Sequence, residues 1–134
     1  MKRFCSLALC AGMIGSLLGL SACGGSGGGA NAAERLVGTW LLTQMRGYMA
    51  GTPEERECSW TFTVQSDLSY TGRRTDHDTT YRETGTITLD GDYLTFHYKI
   101  GRVDHTYTAT YQYYFADGGL VLDEGGTAWF FEPQ

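Results

Sequence analysis

The chain has 134 residues, room for one domain with one hydrophobic core. Hydrophobic residues make up 42% and aromatics 13%, which excludes a disordered chain in spite of 19 glycines. The formal net charge of −5 argues against nucleic acid as a partner, because phosphates demand a basic face.

Lys2 and Arg3 precede an apolar run, Phe4 to Leu20, whose glycines and serines make it marginal for a stable bilayer span and suit the centre of a secretory signal. Leu20-Ser21-Ala22-Cys23 then resembles the lipobox of bacterial lipoproteins, with small residues before an obligatory cysteine and a basic start at the correct distance. The resemblance implies that residues 1–22 are a signal peptide that is cut away. Cys23 then becomes the N-terminus and carries a thioether diacylglycerol, usually with a further acyl chain, palmitate in type, on its amine. The other readings of the segment are an ordinary secretory signal or a membrane span that happens to contain cysteine. Two or three acyl chains, at about 0.8 kcal/mol per buried methylene, hold a protein on a membrane far beyond what one chain does. Gly24 stands where an aspartate commonly retains lipoproteins at the inner membrane, so the expected location is the cell envelope, at the outer membrane in a Gram-negative cell. Taking Lys2 and Arg3 from the ten basic residues leaves eight against fifteen acidic ones, so the mature chain is the more acidic.

Residues 24–33, Gly-Gly-Ser-Gly-Gly-Gly-Ala-Asn-Ala-Ala, show no apolar periodicity and read as a flexible tether, which with Cys23 makes an anchor segment of residues 23–33. The domain proper is expected at 34–134. Cys5 and Cys10 leave with the signal peptide and Cys23 is alkylated, so Cys58 remains as a single thiol and no intrachain disulfide forms.

From Leu36 onward the apolar period is two, with β-branched and aromatic residues between glycine-containing turns. Eight strands are predicted, at about 36–45, 58–65, 69–75, 80–89, 93–100, 105–115, 120–123 and 127–132. Ser66-Asp67, Asp90-Gly91-Asp92 and Ala116-Asp117-Gly118-Gly119 suit tight hairpins. Across the 90–92 turn, Leu89 meets Leu94, Ile87 meets Phe96 and Gly85 meets Tyr98. Carrying that pairing back places Tyr70 opposite Ile87 and Leu68 opposite Leu89. Trp60, Phe62 and Val64 face the same apolar side, while Ser59, Thr61, Thr63, Thr84, Thr86 and Thr88 face the other. The fold class is therefore all-β, a small antiparallel meander that closes into a barrel of about eight strands.

Leu36-Val37-Gly38-Thr39-Trp40-Leu41-Leu42 resembles the opening strand of lipocalin-like (calycin) domains, whose Gly-x-Trp lays a tryptophan across the closed end of the barrel. On that resemblance the long segment 46–57 corresponds to the lid loop, and the mouth lies opposite Trp40. Parity then gathers Cys58, Arg74, Glu83 and His105 at the mouth, each facing inward, with Cys58 opposite Arg74, Arg74 opposite Glu83 and Ile100 opposite His105. An enclosed charge is costly unless paired, and Arg74 with Glu83 is the natural pair. One reading is a solvated rim or an ion pair plugging the mouth. The other is a ligand-binding site that anchors the polar head of an apolar molecule.

Neither a nucleophile motif nor a phosphate-binding glycine loop accompanies these residues, so no catalytic residue and no cofactor is expected. His77, His97 and His105 lack metal-ligand spacing, and His97 has outward parity. Tyr98, Tyr107, Tyr111 and Tyr113 either line a cavity or fill the core. The resemblance implies a non-enzymatic, membrane-tethered binding module for a small apolar ligand. The alternative is an envelope protein that acts through its outer surface on a protein partner, in the manner of a protease-inhibitor-like calycin. A cavity lined by Tyr98, Tyr107 and Tyr111 favours the first, and a filled barrel with an ordered, protruding 46–57 loop favours the second.

Overall fold

The computed structural model describes residues 29–134; the predicted signal peptide 1–22 and the predicted lipid-bearing Cys23 lie outside the described residues. One short helix, α1 (Gly29–Leu36), leads into eight strands: β1 (Gly38–Gly47), β2 (Cys58–Val64), β3 (Ser69–Asp76), β4 (Thr79–Asp90), β5 (Tyr93–Ile100), β6 (Tyr107–Ala116), β7 (Gly119–Asp123) and β8 (Thr127–Pro133). Each strand pairs antiparallel with the next, and β1 closes the ring against β8. Closure removes the unpaired strand edges that an open meander of this length would present to other chains. At the seam, Gln134 N–H donates to Thr39 O at 2.9 Å. Between Leu42 and Gln44 the β1–β8 register shifts, so Thr43 is the extra residue that bends the first strand around the barrel.

Alternation decides what the barrel contains. Trp60, Phe62, Val64, Tyr70, Ile87, Leu94, Phe96, Tyr111, Leu120, Leu122 and Phe131 are buried, and the threonines between them face solvent or the barrel wall. The Trp60 ring centroid lies 5.1 Å from that of Phe131, 5.8 Å from that of Phe96 and 6.1 Å from that of Tyr111. Phe62 in turn meets Phe96 at 5.4 Å and Phe131 at 5.2 Å. Eight strands enclose just enough width for side chains to meet across the axis, and here aromatic rings fill it. Tyr111 and Tyr113 are buried core residues, whereas Tyr107 lies at the surface and stacks on Tyr98 at 5.6 Å. The four tyrosines thus pack rather than line a cavity.

Of the predicted tether, residues 24–28 lie outside the described residues and the remainder differs from expectation. Residues 29–33 are helical, and Ala32 and Leu36, one helical turn apart, are buried against the barrel. Eight residues are too few for a helix to persist by itself, so packing holds it. Trp40 Nε1 donates to Leu36 O at 2.8 Å, satisfying a carbonyl that the helix end leaves without a partner. The Arg35 guanidinium lies 4.0 Å from the Phe115 centroid, and Phe115 packs on Trp40 at 6.2 Å. α1 therefore packs as part of the barrel's folded unit and covers the end that Trp40 occupies.

Two predicted registers are corrected by an even slip. Trp60, not Cys58, stands opposite Arg74, and Cys58 stands opposite Asp76. Arg74 stands opposite Tyr81, Glu83 opposite Gly72, and Tyr70 opposite Gly85. The β2–β3 connection is four residues, Gln65 to Leu68, closed by Leu68 N–H to Gln65 O at 2.9 Å with Leu68 at a φ of 63°. The β3–β4 turn is only His77-Asp78, with His77 at a φ of 48°. A shift of two residues leaves every side chain on its predicted face, which is why the core survives the wrong register. Around the 90–92 turn the predicted pairs Leu89–Leu94, Ile87–Phe96 and Gly85–Tyr98 are the observed ones.

Candidate functional site

At the end opposite α1 the strand ends and loops surround a mouth. The segment after β1 folds back on itself: Met45 and Gly51 exchange backbone hydrogen bonds, and Arg56 donates to Ala50 O through Nε at 2.9 Å and Nη2 at 2.6 Å. Thr52 and Glu55 bond reciprocally, Thr52 N–H to Glu55 Oε2 at 2.8 Å and Glu55 N–H to Thr52 Oγ1 at 3.3 Å. This lid loop is ordered by its own backbone. Beneath it lies a pocket of about 190 Å³, lined by Leu42, Met45, Met49, Cys58, Trp60, Arg74, Asp76 and Trp129 among others. Trp60 is both its floor and the centre of the aromatic core, so the pocket stops where the packed interior starts.

Three of the four predicted site residues meet here. Cys58 and Arg74 both line the pocket, and Arg74 Nε lies 3.3 Å from Glu83 Oε1 behind it. The predicted ion pair is therefore present, although the two residues are diagonal neighbours rather than facing ones. Glu83 is only 3% exposed while the Arg74 side chain keeps 34%, so the pair has one enclosed and one wet partner. Glu83 stands opposite Gly72, where an added Cβ would meet Glu83 Oε2 at 3.5 Å, an ordinary contact distance. Tyr70 Oη donates to Glu83 Oε2 at 3.5 Å, and the Arg74 guanidinium lies 3.9 Å from the Trp60 centroid. Among the described residues, the buried Trp60 Nε1–H has no hydrogen-bond partner and the buried Arg74 Nε–H has no aligned one.

His105 does not join them. β6 begins at Tyr107, which pairs with Tyr98, and residues 101–106 form a loop. Gly101 turns the chain at a φ of 59°, and Lys99 Nζ holds Asp104 Oδ1 at 2.8 Å, so His105 stays exposed with its ring edge against Tyr107 at 4.5 Å. Residues 102–105, Val103 included, stay in water rather than extending the strand.

Burial pushes the Glu83 carboxyl above its ordinary range, with Arg74 and the Tyr70 hydroxyl acting against that rise. Tyr70 is raised too, first by burial and then by the neighbouring Glu83 charge. The Cys58 thiol is raised by burial and by Asp76, with Arg56 opposing. Sequence reasoning passed over Tyr70, Trp60, Met45, Met49 and Trp129. Inward parity at Tyr70, two residues from Gly72 and four from Arg74, was the signal for the first; loop residue Met49 carries no periodicity that would announce it.

A family model described as a lipocalin-like domain matches residues 36–122. Searches of the curated proteins and of the solved structures each found no match. The matched span covers more than half the chain and runs from the strand that carries Trp40 through β7, so the chain belongs to the lipocalin-like domain family.

Proposed function

We propose that the protein is a lipid-anchored, non-enzymatic binding module of the bacterial cell envelope, tethered through Cys23, which takes a small apolar ligand at the mouth of its barrel. The observation that carries the ligand reading is the pocket beneath the lid loop, with two methionines and two tryptophans around it and one arginine for a polar head. At about 190 Å³ it is below the usual 300–1,000 Å³ of ligand cavities, so a ligand sits partly outside and the loop covers it. Family membership supports the same reading. Against thiol catalysis stands the raised Cys58, which holds less thiolate at neutral pH than a free cysteine.

The anchor reading rests on Leu20-Ser21-Ala22-Cys23. Six residue steps separate Cys23 from Gly29, a contour of at most about 20 Å. Because α1 seals the end opposite the mouth, the anchor holds the closed end near the lipid and leaves the mouth facing outward, at the outer membrane in a Gram-negative host. Cys23→Ala should abolish incorporation of radioactive palmitate and accumulate uncut precursor. Equal labelling of the variant removes the anchor.

A second reading, action on an envelope protein partner, draws on the filled interior and on Tyr48, 90% exposed at the tip of an ordered loop. Alkylation of Cys58 separates the two. An anilinonaphthalene sulfonate dye or a fatty acid at ten times its Kd should slow reaction with iodoacetamide about tenfold if it occupies the mouth. If a panel of such probes neither binds nor protects Cys58, the small-ligand reading fails and the protein-partner reading stands in its place.

A further inference from the structure

On the outer wall of the barrel, Arg73 of β3 stands directly opposite Arg82 of β4. Like charges at facing positions of an antiparallel pair repel, and such positions ordinarily hold an opposite charge or a neutral residue. The rest of the chain is acidic, with fifteen carboxylates against eight basic residues once these two arginines are set aside. Yet among the described residues no carboxylate comes within 4.0 Å of either guanidinium. Most other described cations have partners, Arg102 being the exception: Arg74 has Glu83, Lys99 has Asp104, Arg56 has Ala50 O, and Arg35 and Arg46 lie over Phe115 and Phe130.

The surroundings are hydroxyls. Thr61 faces Arg73 across β2–β3, and the next outward row toward the sealed end runs Thr63, Thr71, Thr84 across β2, β3 and β4. Together with the two arginines these side chains line a groove on the outer wall. The inward residues between the rows, Gly72 and Glu83, turn to the core, so the Glu83 charge is spent on Arg74 inside and does not neutralise the wall.

We propose that Arg73 and Arg82 form an oxyanion site for a phosphate group, clamped between the two guanidinium forks with threonine hydroxyls as further donors. A phosphate converts the repulsion into two charge-assisted, bidentate contacts, a geometry that guanidinium provides and ammonium does not. The site is independent of the mouth: it lies on the opposite face of the same strands and uses none of the pocket residues.

The test is thermal unfolding of the full chain in detergent at constant ionic strength, with chloride replaced stepwise by inorganic phosphate. Phosphate stabilises most proteins by exclusion from their surface, so the reading is the difference between native chain and variants. Arg73→Gln and Arg82→Gln should each be at least as stable as the native chain in chloride, because a repulsion is gone. Each should also lose the saturable part of the phosphate response, binding at least about tenfold more weakly. Arg82→Lys, which keeps the charge and loses the fork, should fall between. Glycerol phosphate and a short-chain phosphatidylglycerol, titrated in the same way, separate a soluble phosphate from a lipid headgroup by which binds more tightly. A phosphate response equal in native chain and variants, or one that never saturates, overturns the site.

Discussion

Replacing Trp40 by alanine should cost about 3–5 kcal/mol, in the range of other large aromatic truncations in cores. It should also release α1, which distinguishes this residue from its neighbours. The indole closes the barrel end with its ring and holds Leu36 O with its N–H, and Phe115 and Arg35 stack outward from it. Without the ring, Leu36 and Ala32 lose the surface that buries them, and an eight-residue helix does not persist alone. Urea unfolding gives the stability, and amide exchange across residues 30–36 reports the helix. Trp40→Phe should keep most of the packing and lose roughly 1 kcal/mol for the missing hydrogen bond. A Trp40→Ala variant that unfolds at the native urea midpoint, or whose helix amides exchange as slowly as before, removes this account of the sealed end.

Arg74→Ala should destabilise the domain by about 2–3 kcal/mol, less than the 3–5 expected of a fully enclosed pair because Arg74 keeps a third of its side chain in solvent. The loss comes chiefly from leaving Glu83 enclosed and uncompensated. The Arg74→Ala, Glu83→Ala double variant should therefore cost less than the two single variants together. Additivity within about 0.3 kcal/mol would mark the two as independent and end the pairing argument. The pH dependence has a definite sign. Glu83 titrates above its ordinary 4.5 in the folded chain, so its contribution to stability is complete below that value and is lost as pH rises through the raised one. Glu83→Gln should flatten that decline above pH 4.5. If unfolding free energies of native chain and Glu83→Gln run parallel over that range, the enclosed carboxyl is not raised.

The residues of the site differ in how far they could be read in advance, for a physical reason that recurs along the chain. Period-two alternation is a property of each strand by itself, and it placed Trp60, Cys58, Arg74 and Glu83 on the inner face and the threonines on the outer one. Pairing across a turn depends on the turn's length and handedness. At 90–92 glycine announced the bend, whereas at Gln65–Leu68 and at His77-Asp78 non-glycine residues take positive φ and shift the register by two. His105 has the parity of Tyr107 and Ala109, but a strand needs a partner to extend it, and Lys99 with Asp104 draws the segment into a loop.

Local sequence alone thus determined the all-β class, eight strands close to their true limits and the inner and outer faces, because these follow from side-chain alternation and turn composition; the tryptophan of the sealed end came from the resemblance of residues 36–42 to lipocalin-like domains. Tertiary structure decided the rest. Residues 29–36 are too few to hold a helix in isolation, and packing on the apolar end of the barrel makes them one. The Arg74–Glu83 contact, the filled interior and the opposed Arg73 and Arg82 all depend on which residues cross-strand pairing makes neighbours. That pairing is set when the ring closes, since register is shared by every strand around the barrel and no single segment contains it.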